Sequence, residues 1–283
     1  MHSPATPNIV VTQLLRSLNI PPRPALLMAL QREMRRDEPD FKKIGVLLRR
    51  DAGMAGSLLQ TANSAFFGVR RNVTTLEDAI VLIGMNQFGA LMTGLITRRV
   101  FANGNMMMAR FWDVSEKRSS GMGYVARQTR LIPPELAYSF GLFCDIGIPL
   151  LKVHFPTYLE TLAVANNGAT RFTEVEDVRH GINHALVGAW LTESWGIAPE
   201  VVHAIRLHHI YETLSDGEVP ATIRKLIAAN LIVDRAIQEF RGDFGYSEWG
   251  HGGGAAGLTL GMSVHETDAL CEELKAHFSG SAA

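Results

Sequence analysis

The chain has 283 residues, a formal net charge of −1 at pH 7 and 47% hydrophobic residues. That length is enough for one large domain, or for two lobes that share a hydrophobic core. A charge near zero without a long basic run argues against a broad nucleic-acid-binding surface, and the widely separated Cys144 and Cys271 indicate no disulfide framework.

The amino terminus lacks the order of a signal peptide, in which basic residues precede an apolar segment. With two cysteines far apart in the sequence, this predicts a cytoplasmic protein in a reducing compartment. Apolar residues then recur at helical spacing, which predicts helices over 40–50, 54–61 and 76–83. The last of these follows Thr74–Thr75, which is typical of a helix N-cap.

The most apolar segment, 79–96, contains Asn86, Gln87 and three glycines. Such a composition over the length of a bilayer predicts a buried pair of helices rather than a membrane span. We therefore expect no contact with a membrane.

Breaks in the helical pattern divide the chain into three regions. Polar and glycine residues at 102–105 predict a boundary between an amino-terminal bundle, 8–104, and a second helical lobe, 105–240. The region 241–283 is predicted to contain a glycine-rich loop up to residue 261 and a last helix over 265–278. Strand-like alternation is almost absent, so the predicted fold is an all-α, multi-helix one.

One glycine pattern resembles a dinucleotide-binding motif and one histidine pattern resembles a zinc site, but the neighbouring residues argue against both. Gly252-x-Gly254-x-x-Gly257 matches the dinucleotide-binding motif by letter, but no βαβ unit surrounds it, so a flexible loop is expected. His180 and His184 have the i, i+4 spacing of a zinc pair. Gly181 between them indicates instead that a helix starts here, with His184 facing inward and His180 outward.

The segment 141–147 has the sequence Gly-Leu-Phe-Cys-Asp-Ile-Gly, which resembles the Gly-Leu-Leu-His-Asp-Ile-Gly signature of the HD superfamily. Residues 59–68 and 73–84 resemble the amino-terminal half of the HDOD family, a branch of that superfamily found in bacterial signalling proteins. Residues 176–209 resemble its carboxy-terminal half. The resemblance covers roughly residues 10–240 and implies an amino-terminal bundle packed on an HD lobe.

In HD enzymes the signature binds a divalent metal that lowers the pKa of a water molecule for attack on a phosphate. The resemblance places the first histidine ligand at Val114 and the second at Cys144, so two central ligands are missing. We therefore expect no metal and no other cofactor. The polar residues that match the family positions remain as a candidate binding pocket: Cys144, Asp145, His184, His208, His209 and Asp234.

The resemblance implies a non-catalytic signalling or regulatory module that acts through partner proteins, with a nucleotide or other anion as a possible ligand of the pocket. The alternative is a metal-dependent phosphohydrolase or phosphodiesterase acting on nucleotides or cyclic dinucleotides, in which Cys144 replaces a ligand. That alternative predicts stoichiometric metal and a turnover that Asp145→Ala abolishes.

The segment 63–67 carries two adjacent aromatic residues beside small polar ones. In isolation this pattern predicts core packing and a helix cap. The resemblance implies a junction between the two lobes, and an exposed phenylalanine there would suit a partner surface. The candidate lobe-interface or partner residues are Asn63, Ser64, Phe66 and Phe67.

Overall fold

The computed structural model describes residues 15, 17–18, 21, 23–49, 52–63, 73–101, 106–166, 170–243 and 248–280. Within these ranges the regular structure is helical and contains no strand, which confirms the all-α prediction. One hydrophobic core runs through the whole assembly, from Leu15 to Phe278.

Among the described residues, the amino-terminal part consists of five helices. The three helices predicted over 40–50, 54–61 and 76–83 are confirmed. Thr75 caps the fourth by accepting a hydrogen bond from the Asp78 N–H at 3.1 Å. The apolar segment 79–96 forms parts of two helices that meet at 116° beside Gly84, as the predicted helix pair requires. These helices are α1 (Ala25–Met34), α2 (Phe41–Arg49), α3 (Ala52–Ala62), α4 (Leu76–Ile83) and α5 (Met85–Val100).

The remaining helices build the second lobe and the carboxy-terminal part, and α5 packs on the helix Pro134–Phe143 to join the amino-terminal bundle to them. A short 3₁₀-helix, Tyr211–Leu214, separates the helix Pro199–Leu207 from the helix Ala221–Arg241. The helices are α6 (Met106–Thr129), α7 (Pro134–Phe143), α8 (Gly147–His154), α9 (Tyr158–Ala165), α10 (Phe172–His180), α11 (His184–Ser194), α12 (Pro199–Leu207), α13 (Ala221–Arg241), α14 (Glu248–Leu260) and α15 (Val264–Gly280).

Two stretches pass a length-and-composition test for a membrane span. One is 134–154, made of α7 and α8, and 61% of an apolar 18-residue part of it is buried inside the protein. The other is the bent pair α4 and α5, taken as one span. Buried core helices of soluble proteins have the same length and composition, so these two features are weak evidence for a membrane span.

The prediction of a glycine-rich loop is wrong for residues 248–260, which form α14. Glycine has a low helix propensity, but tertiary packing overrides it here. A Cβ at Gly252 would lie 2.8 Å from Cδ1 of Tyr211 and 2.9 Å from Cδ1 of Leu231, so the missing side chain lets α14 approach closely. The predicted last helix is confirmed as α15. The predicted boundary at 102–105 lies outside the described residues.

Both glycines of the 141–147 motif lie where another backbone comes very close. A Cβ at Gly141 would be 2.8 Å from Cα of Ser119 in α6. A Cβ at Gly147 would overlap the carbonyl oxygen of His184 and lie 2.8 Å from its carbonyl carbon. The turn that carries Asp145 is therefore held against both α6 and α11.

We expect Gly147→Ala to lower the free energy of unfolding by at least about 2 kcal/mol, because the added methyl meets main-chain atoms that cannot rotate away. Urea unfolding followed by circular dichroism measures this. The matched control is Gly254→Ala in α14, where no atom lies within 4 Å of the added methyl and helix propensity improves. Equal urea midpoints for the two variants would contradict the close approach.

Candidate functional site

Four side chains meet in the interior of the second lobe: Asp145, His184, His208 and His209. Asp145 lies in the turn between α7 and α8, His184 begins α11, and the other two histidines follow α12. One ligand atom from each residue lies within 4.8 Å of the others. The structure thus brings together four of the six predicted pocket residues.

The distances within this Asp/His cluster are short and uniform. The Nε2 atom of His184 lies 3.4 Å from Oδ1 of Asp145, 3.4 Å from Nε2 of His208 and 3.2 Å from Nε2 of His209. The Nε2 atom of His208 is 3.5 Å from the same Asp145 oxygen. One carboxylate oxygen and three imidazole nitrogens therefore surround a common point.

The local sequence explains why His184 points into the cluster. Helix α10 ends at His180, and Gly181 follows in the left-handed conformation with φ of 71°. Asn183 then caps α11 by accepting the Leu186 N–H at 2.9 Å. His184 is 1% exposed and His180 is partly exposed, as predicted from the position of Gly181.

Each histidine of the cluster is held from behind through its Nδ1 atom. His184 Nδ1 lies 2.7 Å from Oε2 of Glu176, and His209 Nδ1 lies 3.0 Å from Oε2 of Glu248. His208 Nδ1 lies 2.6 Å from the carbonyl oxygen of Ile205. Carboxylates and carbonyls only accept hydrogen bonds, so each Nδ1 carries the proton and each Nε2 faces the cluster. Metal-ligating histidines show this pattern of outer hydrogen bonds.

Charge shapes the titration of the cluster. Burial alone lowers the pKa of His184, but the adjacent carboxylates of Glu176 and Asp145 raise it to about 10, so this ring is an imidazolium at neutral pH. Burial, with the positive charge of His184, lowers the pKa of His208 to about 4, so that ring is neutral. Burial raises the pKa of the Asp145 carboxyl, but the Arg118 guanidinium and the histidines hold it well below its usual range.

Arg118 of α6 bridges the two aspartates of the predicted pocket. Its Nη1 lies 2.9 Å from Oδ2 of Asp145, and its Nε lies 2.6 Å from Oδ1 of Asp234. Asn230 donates from Nδ2 to the other Asp234 oxygen at 2.9 Å. The Arg118 side chain is 8% exposed, so its charge is neutralised inside the protein.

Sequence reasoning missed Arg118 and Glu248 as site residues. A signal for Arg118 was present, because it follows Val114 by four residues and so lies one turn along the same face of α6. Glu248 offered no such signal, since it lies in the segment predicted as a loop.

The other predicted site residues lie apart from the cluster. Cys144 is fully buried, its thiol is 4.0 Å from the Gly141 carbonyl oxygen, and burial raises its pKa well above the usual range. Asn63 exchanges hydrogen bonds with the Val73 backbone at 2.7 and 2.8 Å, which fastens the end of α3 to the segment before α4. Ser64, Phe66 and Phe67 lie outside the described residues.

A cavity of about 510 Å³ leads from the cluster to solvent. Part of its wall is apolar, and its rim carries Arg110, Arg241 and Asp243. The Asp243 carboxylate lies 3.8 Å from Arg110 and 3.9 Å from Arg241. The apolar wall residues are Phe111, Val114, Ile148, Leu162, Phe172 and Ile237.

The floor of this cavity carries an excess of negative charge. Among the described residues, two carboxylates line the floor and two more lie directly behind its histidines, against two cations, the Arg118 guanidinium and the His184 imidazolium. Buried charge of one sign favours a ligand of the other sign. The floor therefore suits a cation better than an anion. The carboxylates are those of Asp145, Glu176, Asp234 and Glu248.

We expect Arg118→Ala to lower the free energy of unfolding by about 3 to 5 kcal/mol, because it leaves two largely buried carboxylates, 19% and 22% exposed, without their cation. Chemical denaturation measures the loss. The control is Arg98→Ala, whose partner Glu116 is as exposed as Arg98 itself and whose loss costs less than about 1 kcal/mol. A loss for Arg118→Ala no larger than the control's would show that the bridge contributes little.

Comparison with known proteins agrees with this architecture. A crystal structure of an HDOD domain protein of unknown function from Geobacter sulfurreducens superposes with a TM-score of 0.72 at 17% identity, covering 96% of this chain and 95% of that one. A candidate phosphohydrolase from Shewanella amazonensis SB2B superposes with a TM-score of 0.70 at 21% identity, covering 95% of each chain. At these identities the likeness establishes the fold alone.

A curated relative, an uncharacterised protein from Treponema pallidum (strain Nichols), is 22% identical over 234 residues. The match covers 81% of this chain and 44% of that protein, so this chain spans less than half the length of its relative. The sequence model of the HDOD domain matches residues 20–211. Because that match covers more than half of the chain, the protein belongs to the HDOD domain family, which is related to the HD phosphohydrolases.

Proposed function

We propose that this protein is a regulatory, non-catalytic signalling module that acts by binding a partner protein, with the remnant HD pocket as its ligand site. The observation that carries the proposal is the guanidinium of Arg118 between Asp145 and Asp234. The family resemblance assigns these two aspartates to the metal that activates water. Here a fixed organic cation already pairs with both.

The neighbouring positions support the loss of hydrolysis. Val114 has no ligand atom, and the Cys144 thiol is buried with a raised pKa, so neither residue replaces a missing histidine. A guanidinium between the two aspartates does not lower the pKa of an attacking water as a metal ion does. We propose a cytoplasmic location and partners other than nucleic acid or membranes, in line with the near-neutral charge.

The pocket's charge limits what it binds directly. A nucleotide or other anion placed on the bare floor would meet the excess of carboxylates, so its anionic group is better placed at Arg110 and Arg241 on the rim. The apolar walls would contact the rest of such a ligand. Binding of an anion at the floor requires a bridging cation.

The Asp/His cluster favours a second function, the binding of one divalent transition-metal ion. In a tetrahedral site with metal–nitrogen bonds of about 2.05 Å, ligand atoms lie about 3.3 Å apart. Four of the six separations in the cluster are 3.2 to 3.5 Å, in agreement with this value, and the other two are within 4.8 Å. Imidazole with one carboxylate suits zinc, iron, nickel or copper, any of which would act as a Lewis acid when bound. This proposal departs from the sequence-based expectation of no metal, which rested on the loss of the two central ligands.

The deciding experiment measures metal and turnover together. We expect purified protein to bind about one zinc ion per chain, to lose it in Asp145→Ala, and to hydrolyse neither phosphomonoesters, nucleotides nor cyclic dinucleotides. Elemental mass spectrometry and phosphate release provide the readouts. Turnover that Asp145→Ala abolishes would overturn the non-catalytic proposal, whereas folded protein that takes up no metal would overturn the second one.

Zinc binding at neutral pH is expected to release about one proton per ion, because the His184 imidazolium must lose its Nε2 proton to become a ligand. Its pKa of about 10 lies above neutral pH, so affinity should rise with pH until that value is passed. Calorimetry in buffers of different ionisation enthalpy counts the protons. Binding without proton release would mean that His184 is neutral in the metal-free protein.

A further inference from the structure

Helix α14 begins beyond residue 211, where the family match ends, yet its first residue enters the site. Glu248 is 5% exposed, and both of its carboxylate oxygens have partners. Oε2 lies 3.0 Å from Nδ1 of His209, and Oε1 accepts the backbone N–H of Phe172 at 3.1 Å. Phe172 also lines the cavity and stacks on the His209 ring at 5.8 Å.

The carboxylate has a chemical consequence for His209. Oε1 of Glu248 already accepts the Phe172 N–H, and the second carboxylate oxygen offers His209 an acceptor. His209 therefore donates from Nδ1, and in the neutral ring this places the lone pair on Nε2, which lies 3.2 Å from Nε2 of His184. The hydroxyl of Tyr211, 3.3 Å from the same Nδ1, is a more distant neighbour that can donate as well as accept.

The packing of α14 fixes where this carboxylate lies. Gly252 brings the helix against Tyr211 and Leu231, as described above. The indole of Trp249, the residue after Glu248, lies 4.9 Å from the guanidinium carbon of Arg235 in α13. The position of Glu248 is therefore set by the contact of α14 with α13 and the 3₁₀-helix.

We infer that Glu248 is a positioning residue, which holds His209 in the tautomer with Nε2 free, so that α14 completes the Asp/His cluster. Only the consequence for metal affinity rests on the metal-binding function proposed above. The tautomer itself is a property of the metal-free protein.

The isosteric variant Glu248→Gln separates this role from simple packing. When its amide oxygen accepts the Phe172 N–H, its NH₂ group must donate to His209 Nδ1. The ring proton then moves to Nε2, which can no longer bind a metal. Glu248→Ala removes the acceptor altogether and serves as the second variant.

The experiment combines two readouts. Nitrogen NMR of the histidine rings in metal-free protein reports the tautomer of His209, assigned with His209→Ala. Competition with a chromophoric chelator reports zinc affinity. We expect the parent protein to carry the Nδ1 proton, Glu248→Gln to carry the Nε2 proton, and both Glu248 variants to bind zinc about 10- to 100-fold more weakly.

Glu239→Gln is the matched control, because Glu239 of α13 pairs with Arg235 and Lys275 and does not line the cavity. It should leave the His209 tautomer and the zinc affinity unchanged. If the His209 tautomer is the same in the parent and both Glu248 variants, the inference fails. If the parent binds no zinc, the metal proposal fails. The NMR measurement of the His209 tautomer then tests by itself whether Glu248 is a positioning residue.

Discussion

The ion pairs of Arg118 with Asp145 and Asp234 are the interaction on which the rest of the site depends. They join α6, the turn between α7 and α8, and α13 at one buried point. Leaving any of these charges unpaired in the interior costs several kcal/mol, so the three segments must stay together. The pairing also gives the two oxygens of Asp145 different partners: Oδ2 faces the guanidinium, and Oδ1 faces the histidines.

This division separates two kinds of chemistry that share one carboxylate. On one side, a guanidinium has replaced the charge that a metal would bring, without its ability to activate water. On the other side, three imidazoles with outer hydrogen bonds retain the form of a ligand set. The proposed loss of hydrolysis and the proposed binding of an ion are therefore compatible in the same pocket.

Features of the site that depend on local sequence could be predicted, and those that depend on distant contacts could not. The start of α11 at His184 follows from Gly181 and Asn183, which act within one turn of chain. Asp145 and the histidines were found because they match a family pattern. Arg118 reaches partners 27 and 116 residues away in sequence, which its position one turn from Val114 does not reveal. Helix α14 owes its helical state to packing against α13 and had no local signature.

The contact of Glu248 with His209 also makes α14 a thermodynamic partner of the pocket. If a ligand of the cluster binds more tightly when α14 is docked, then the same ligand must favour docking by an equal free energy, since such coupling is reciprocal. A protein that binds or displaces α14 would thus change the affinity of the pocket for its ligand without contacting the pocket. Occupancy of the pocket would, in return, alter the surface offered to that protein.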